Sequence, residues 1–438
     1  MKKLIALVLA FVFIATMGLA GCGKQAATDT TAPATEAKKE EPKKEEPKQE
    51  EKKVTVKFLG YNSEDSRKTY LESLKTKFPN ITVEFQYVDQ KQNAAVLNTQ
   101  LAAGQGPDLI EGGGNTTTLA NAGYLEDLTN APFTGKYSET GLKPYIFKDK
   151  IYGVPLQSWF EAIFYNKTIF DKYGLKPPKT FDEFIAIHET LKKNGVKPQT
   201  MGAKSWEPMM KQPMLMLDNE FYSTDAGKGF DEAFAAGTRT LDGNYNEALN
   251  KWSEVISKGC LTKDMLGLDY DQALNEFATE KAAMWECGPW AVQTMLKANP
   301  NLKFGMFPFP GTKGGPGWAV GGPGSSLCVN AKSPVKDAVM QILDYTATPE
   351  AQKALIKDNF GSSFLKGVEI DLAPEYADMA ECFKANNVYA PWVYWFGGDA
   401  IAMEFGKNIQ EVLSGKKSMD DAIKATDKKA NDMRKAQK

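Results

Sequence analysis

The 438-residue chain predicts an α/β fold in two lobes. Three observations carry this. The folded part opens with strand and helix patterns in strict alternation, which is the order that builds a mostly parallel sheet with helices on both faces. The length exceeds one typical domain, and 42% hydrophobic with 25% charged residues is ordinary for a globular protein. One organising stretch, Phe164 to Phe184, ends an apolar segment, runs through a short helix and a proline pair, and opens a second helix.

The first 22 residues carry Lys2 and Lys3, an apolar run from Leu4 to Met17 and then Leu-Ala-Gly-Cys, the build of a secretory signal. The apolar run is shorter than the roughly 20 residues a spanning helix needs. We expect residues 1–21 to be a signal peptide. Residues 22–53 are rich in Ala, Thr, Lys, Glu and Pro with almost no large apolar side chain, so they cannot bury enough surface to offset chain entropy and read as a disordered tether.

Val54 to Leu59 alternates as a strand, and the next helix carries Tyr70, Leu71, Leu74 and Phe78 on one face until Pro79-Asn80. Ile81 to Val88 is a second strand, a helix spans about Asn93 to Ala103, and Asp108-Leu109-Ile110 is a third. Ligands in such sheets sit at loops after the carboxyl ends of strands, here Tyr61 to Ser63 and Glu111 to Asn115. Thr180 and Glu183 form a Thr-x-x-Glu capping box, with Phe184, Ile187 and Leu191 at helical spacing. Further helices are predicted over Asn246 to Lys258, Asp269 to Thr279, Pro334 to Thr346, Pro349 to Lys357, Ala400 to Leu413 and Met419 to Arg434. Strands are predicted over Lys281 to Glu286 and Ser325 to Val329, with a glycine-rich loop from Gly311 to Gly324.

Several chemistries are disfavoured. The formal net charge of −2 gives no reason to expect nucleic acid as a partner. The single histidine, His188, sits inside a helix, where a packed residue is far commoner than a catalyst, and it rules out multi-histidine metal sites. Cys260, Cys287, Cys328 and Cys382 form no Cys-x-x-Cys pair, and free thiols or an unassigned disulfide stay open. No P-loop ending follows the glycine-rich stretch. No cofactor or metal is expected.

Tryptophan placement is more informative. Trp252, beside Leu249, Val255 and Ile256, is spaced as helix core, and Trp285 lies in an apolar strand. Trp159, Trp206, Trp290, Trp318, Trp392 and Trp395 instead stand at predicted element ends beside Gly, Pro, Ser or polar residues. Flat aromatic faces suit the C–H faces of sugar rings, and neighbouring polar groups fix hydroxyls. Taken singly, each of these tryptophans could equally plug a lobe surface.

In order and spacing, Leu-Ala-Gly-Cys22, 101–109 (LAAGQGPDL), 122–129 (AGYLEDLT), 151–155, 164–167, 177–184, 281–290 (KAAMWECGPW), 307–310 (FPFP), 320–322 and 413–423 (LSGKKSMDDAI) resemble the bacterial extracellular solute-binding proteins of the maltose-binding type. The resemblance implies a periplasmic-binding-protein-like fold, with lobes of 54–160 plus about 330–375 and 161–329 plus about 376–438, joined at a hinge. It implies a monomer, lipidated at Cys22 and held outside the cell, that passes a sugar or oligosaccharide to an ABC-transporter permease. Carried over residue by residue, it implies ligand contacts at Trp159 and Trp290, at Tyr61, Asn62 and Ser63, and at Glu111, Gly112 and Asn115. Trp206, Trp318, Trp395 and Asp399 align as further contacts. Two alternatives stay open: a surface lipoprotein acting as a polysaccharide lyase or hydrolase, and a binding protein for a non-sugar solute.

Overall fold

The computed structural model describes residues 53–436 apart from 157, 359–360, 369–371 and 396. The expected signal peptide, Cys22 and nearly all of the tether lie outside the described residues. Strands β1 (Val54–Gly60), β2 (Ile81–Tyr87) and β3 (Leu109–Gly112) begin the first sheet, with β1 parallel to both others. A two-residue hairpin, β4 (Ile146–Phe147) and β5 (Lys150–Ile151), precedes β6 (Val154–Pro155) and the long β7 (Ser158–Asn166). Then follow β8 (Lys197–Thr200), β9 (Ala282–Cys287), β10 (Phe304–Phe307), β11 (Ala319–Pro323), β12 (Ser326–Val329) and β13 (Val388–Tyr389).

The first sheet has the order β2-β1-β3-β12-β6; the second runs β13-β11-β7-β9-β8, with β10 also on β7. The parallel expectation holds for β1 to β3, where helices cross between strands. Elsewhere the sheets are mixed: β12 runs against β3 and β6, and β7 runs against β9, β10 and β11. The cause is topological, because chain entering a lobe from its neighbour needs no crossover helix and can pair in either direction.

Three expectations are corrected. Residues 319–323, expected within a loop, are the buried strand β11; a Cβ on Gly321 would collide with the Trp159 carbonyl, so glycine permits the close approach of β7. The expected helix over Asn246 to Lys258 divides at Ser253 into Asn246–Trp252 and Glu254–Ser257. The lobe boundaries also move. β12 pairs in the first sheet, so the second crossing falls between Pro323 and Ser326, and β7 already belongs to the second sheet at Ser158.

Each lobe has its own apolar core. The first gathers Val56, Phe58, Tyr70, Leu74, Val154, Leu327, Val339 and Leu355; the second gathers Ile163, Phe184, Met210, Leu249, Trp252, Met284 and Phe405. Among the described residues, crossings between Pro155 and Ser158 and between Pro323 and Ser326 join them, and hydrogen bonds tie this junction together. Leu156 N–H donates to the Ser325 carbonyl at 2.9 Å, Ser158 N–H donates to the Ser362 carbonyl at 2.8 Å, and the two serine hydroxyls lie 2.8 Å apart.

The capping box is present, with the Glu183 N–H donating to Thr180 Oγ1 at 3.2 Å and Glu183 Oε2 accepting from the Thr180 N–H at 3.3 Å. It opens the helix Phe181–Lys193, which buries His188 completely. His188 Nδ1 donates to the Phe184 carbonyl at 2.8 Å, and Nε2 faces the Gln199 amide at 3.2 Å. Burial lowers its pKa from 6.5 to about 4. The unfolded chain therefore binds the extra proton first as pH falls. Stability is expected to be full above pH 6.5 and to drop by about 3 kcal/mol between there and pH 4, a slope that His188→Asn should flatten in urea melts at several pH values.

Candidate functional site

The carboxyl ends of β1, β2 and β3 bring together the residues that open the first-lobe end of the site. Tyr61 hydroxyl donates to the Gly112 carbonyl at 3.4 Å, and Asn62 Nδ2 donates to Glu111 Oε1 at 2.6 Å. Beneath them Arg67 forms an ion pair with Glu111, both side chains fully buried, and Arg67 Nη2 donates to Ser325 Oγ at 3.2 Å on the second crossing. Burial raises the Tyr61 hydroxyl pKa, with the Glu111 charge adding to it, so the phenol stays a neutral donor.

This geometry revises two expected contacts. Glu111 is enclosed, and its carboxylate is taken by Arg67 and Asn62, so it supports the loop instead of meeting a ligand. A Cβ on Gly112 would press on Thr116 Oγ1 and Cys328 Sγ, which makes the glycine a packing requirement. Ser63 Oγ accepts the Ser66 N–H at 3.4 Å, and Asn115 Oδ1 accepts the Gly113 N–H at 3.2 Å. Both are turn bonds on the same end.

The second-lobe end lies where β9 finishes, β7 begins and the helix Trp206–Leu217 starts after β8. Trp159 sits in β7 and packs against Trp392, ring centroids 6.0 Å apart. Lys211 Nζ stands 5.4 Å from the Trp159 ring centroid, ion-paired to Glu161 and, at 2.7 Å, to Glu207. Burial opposes the Lys211 charge, but the two carboxylates outweigh it and raise its pKa, so it remains an ammonium. Trp206 opens the same helix, with Ser205 as its N-cap.

Trp290 follows β9 and is 45% exposed. Its indole lies over Gly288, where a Cβ would overlap the ring. Gly288→Ala is expected to push the indole aside and weaken ligand binding about 3- to 10-fold while leaving the apo melting temperature unchanged. Calorimetric titration checks this; unchanged affinity would mean the ligand does not use that indole position.

The other expected contacts lie elsewhere. Trp395 is a core residue, 4% exposed, its Nε1 donating to Asp231 Oδ1 at 2.9 Å. Trp318 forms a bridge with Phe309 beside a groove lined by Pro308, Pro310 and Gly317. Asp399 is exposed in the first turn of the helix Gly398–Ser414, where an acid suits the helix dipole. Tyr87 and Tyr270, at 50% and 43% exposure, were not anticipated. Tyr87 ends β2, and Tyr270 lies against Trp285 near the end of β9. Among the described residues no group of three or more His, Cys, Asp or Glu is placed to hold a metal ion.

Residues 60–353 match the family model described as bacterial extracellular solute-binding protein. The chain belongs to that family. Its relatives include the Multiple sugar-binding protein of Streptococcus mutans, 26% identical over 73% of this chain and 77% of that protein. Among solved structures, a family 1 extracellular solute-binding protein from Bifidobacterium longum subsp. infantis superposes with a TM-score of 0.70 at 25% identity, covering 86% of this chain and 99% of that one. RafE in complex with raffinose superposes with a TM-score of 0.67 at 21% identity, covering 87% and 99%. The two-lobed solute-binding fold accounts for the two cores and the bonded crossings between them.

Proposed function

We propose that this solute-binding protein captures a sugar or oligosaccharide outside the cytoplasm and delivers it to an ABC-transporter permease. The observation that carries the reading is the pairing of exposed or half-buried indoles, Trp159 and Trp290, with fixed polar groups at one end of the second sheet. Flat apolar rings with hydrogen-bonding neighbours are what a pyranose needs from a pocket. Two relatives' names and structures speak for the same cargo, since one is called a sugar-binding protein and another holds raffinose. Solute-binding proteins bind cargo without transforming it, which favours this reading over a lyase or hydrolase.

The ligand contacts we assign are Tyr61, Asn62, Trp159 and Trp290, with Ser63, Asn115 and Trp206 bordering them. Lipidation of Cys22 and a monomeric state complete the proposal. The purified protein is expected to melt higher in the presence of its saccharide, by about 2.7 kcal/mol of stabilisation at a hundredfold excess over Kd. If no mono- or oligosaccharide shifts the melting temperature while an amino acid or peptide does, the cargo is not a sugar.

A further inference from the structure

The charges beside Trp159 are arranged so that the Lys211 ammonium is already paired. Trp159 and Glu161 are two residues apart on β7 and share a sheet face, and Glu286 on β9 stands opposite Ile163 on that same face. The helix Trp206–Leu217 covers this face and sends Lys211 down to it. Lys211 is 9% exposed in its side chain and is bonded by Glu161 from below and Glu207 from the rim. The Glu286 carboxyl is buried, and burial raises its pKa well above the usual carboxylate range. Two carboxylates thus hold one ammonium, with the Glu286 carboxyl on the same sheet face. At the opposite end Arg67 is likewise buried against Glu111.

We infer that the Glu161–Lys211–Glu207 bridge is a charge filter, admitting uncharged saccharide rings beside Trp159 and rejecting rings that carry a carboxylate. The inference rests on the saccharide reading above. A hydroxyl arriving here donates to the unused lone pairs of the half-exposed Glu207, which offers more acceptor positions than Lys211 fills. A uronate brings only acceptors and a negative charge. It meets a cation already neutralised twice and loses its hydration without a compensating partner. Lys204 on the same end is exposed, so its attraction is screened by water and salt.

The test titrates the protein by calorimetry with neutral oligosaccharides (raffinose, xylotriose, maltotriose, galactotriose) and with acidic ones (trigalacturonate, glucuronosyl-xylotriose). The best neutral ligand is expected to bind at least about tenfold more tightly than any uronate in the panel. Glu207→Gln removes one of the two charges from a half-exposed side chain, and is expected to narrow that gap about threefold. A uronate that binds as well as its neutral counterpart overturns the filter while leaving the saccharide reading intact. A gap that Glu207→Gln does not change shows that the bridge is not its source and overturns the inference. Failure of every saccharide, neutral and acidic, removes the saccharide reading and the filter with it.

Discussion

Arg67→Ala is expected to destabilise the protein by about 3–5 kcal/mol, because it leaves the enclosed Glu111 carboxylate without its cation. The loss should be read by chemical denaturation at pH 7. Replacing both partners, Arg67→Met with Glu111→Leu, should recover much of the loss, because a buried pair is often matched by apolar side chains of similar volume.

Binding separates the two variants. Asn62 loses its Glu111 acceptor in the double variant, so the ligand loop is freed even where stability returns. Affinity should then stay low. If Arg67→Ala costs less than about 1 kcal/mol, water reaches Glu111 and the pair is not the support described here.

How far the sequence disclosed this arrangement depends on what each residue's neighbours in the chain reveal. The Thr180–Glu183 box, the alternation of β1 and β2 and the helical spacing of Leu249 and Trp252 are local patterns, and each appears in the structure where local chemistry puts it. Lys211 is different. It stands in a methionine-rich helix, and helical periodicity does not tell a cation that snorkels to water from one turned inward to Glu161, a partner 50 residues away. Arg67 and Glu111 were hidden in the same way, by a separation of 44 residues. Glu111 was therefore read as a ligand contact, because a polar residue after a strand suggests a pocket. β11 was hidden by Gly321 and Gly322, whose lack of side chains reads as a loop until β7 is seen to need the space. Trp318 and Trp395 show the limit of inferring exposure from glycine or proline neighbours. Tyr270 shows the reverse, a helix-start residue left exposed at the sheet end that carries Trp290.

Trp252 and Trp290 supply the sharpest contrast between a tryptophan that holds the fold and one that serves a ligand. Trp252 is completely buried in the second-lobe core, whereas Trp290 is 45% exposed over Gly288. Trp252→Ala is expected to cost about 3–5 kcal/mol in urea melts, combining lost transfer energy with the cavity left behind. Trp252→Phe should cost less, because the indole N–H it removes has no hydrogen-bond partner. Trp290→Ala should change apo stability by no more than about 0.5 kcal/mol, as substitutions of exposed side chains do, yet abolish the saccharide-induced melting shift. Equal destabilisation by Trp252→Ala and Trp290→Ala would make Trp290 a structural residue, and the second-lobe end of the site would then rest on Trp159 alone. Retention of the full shift in Trp290→Ala would place the ligand nearer the hinge, against Trp159 and the Lys211 bridge.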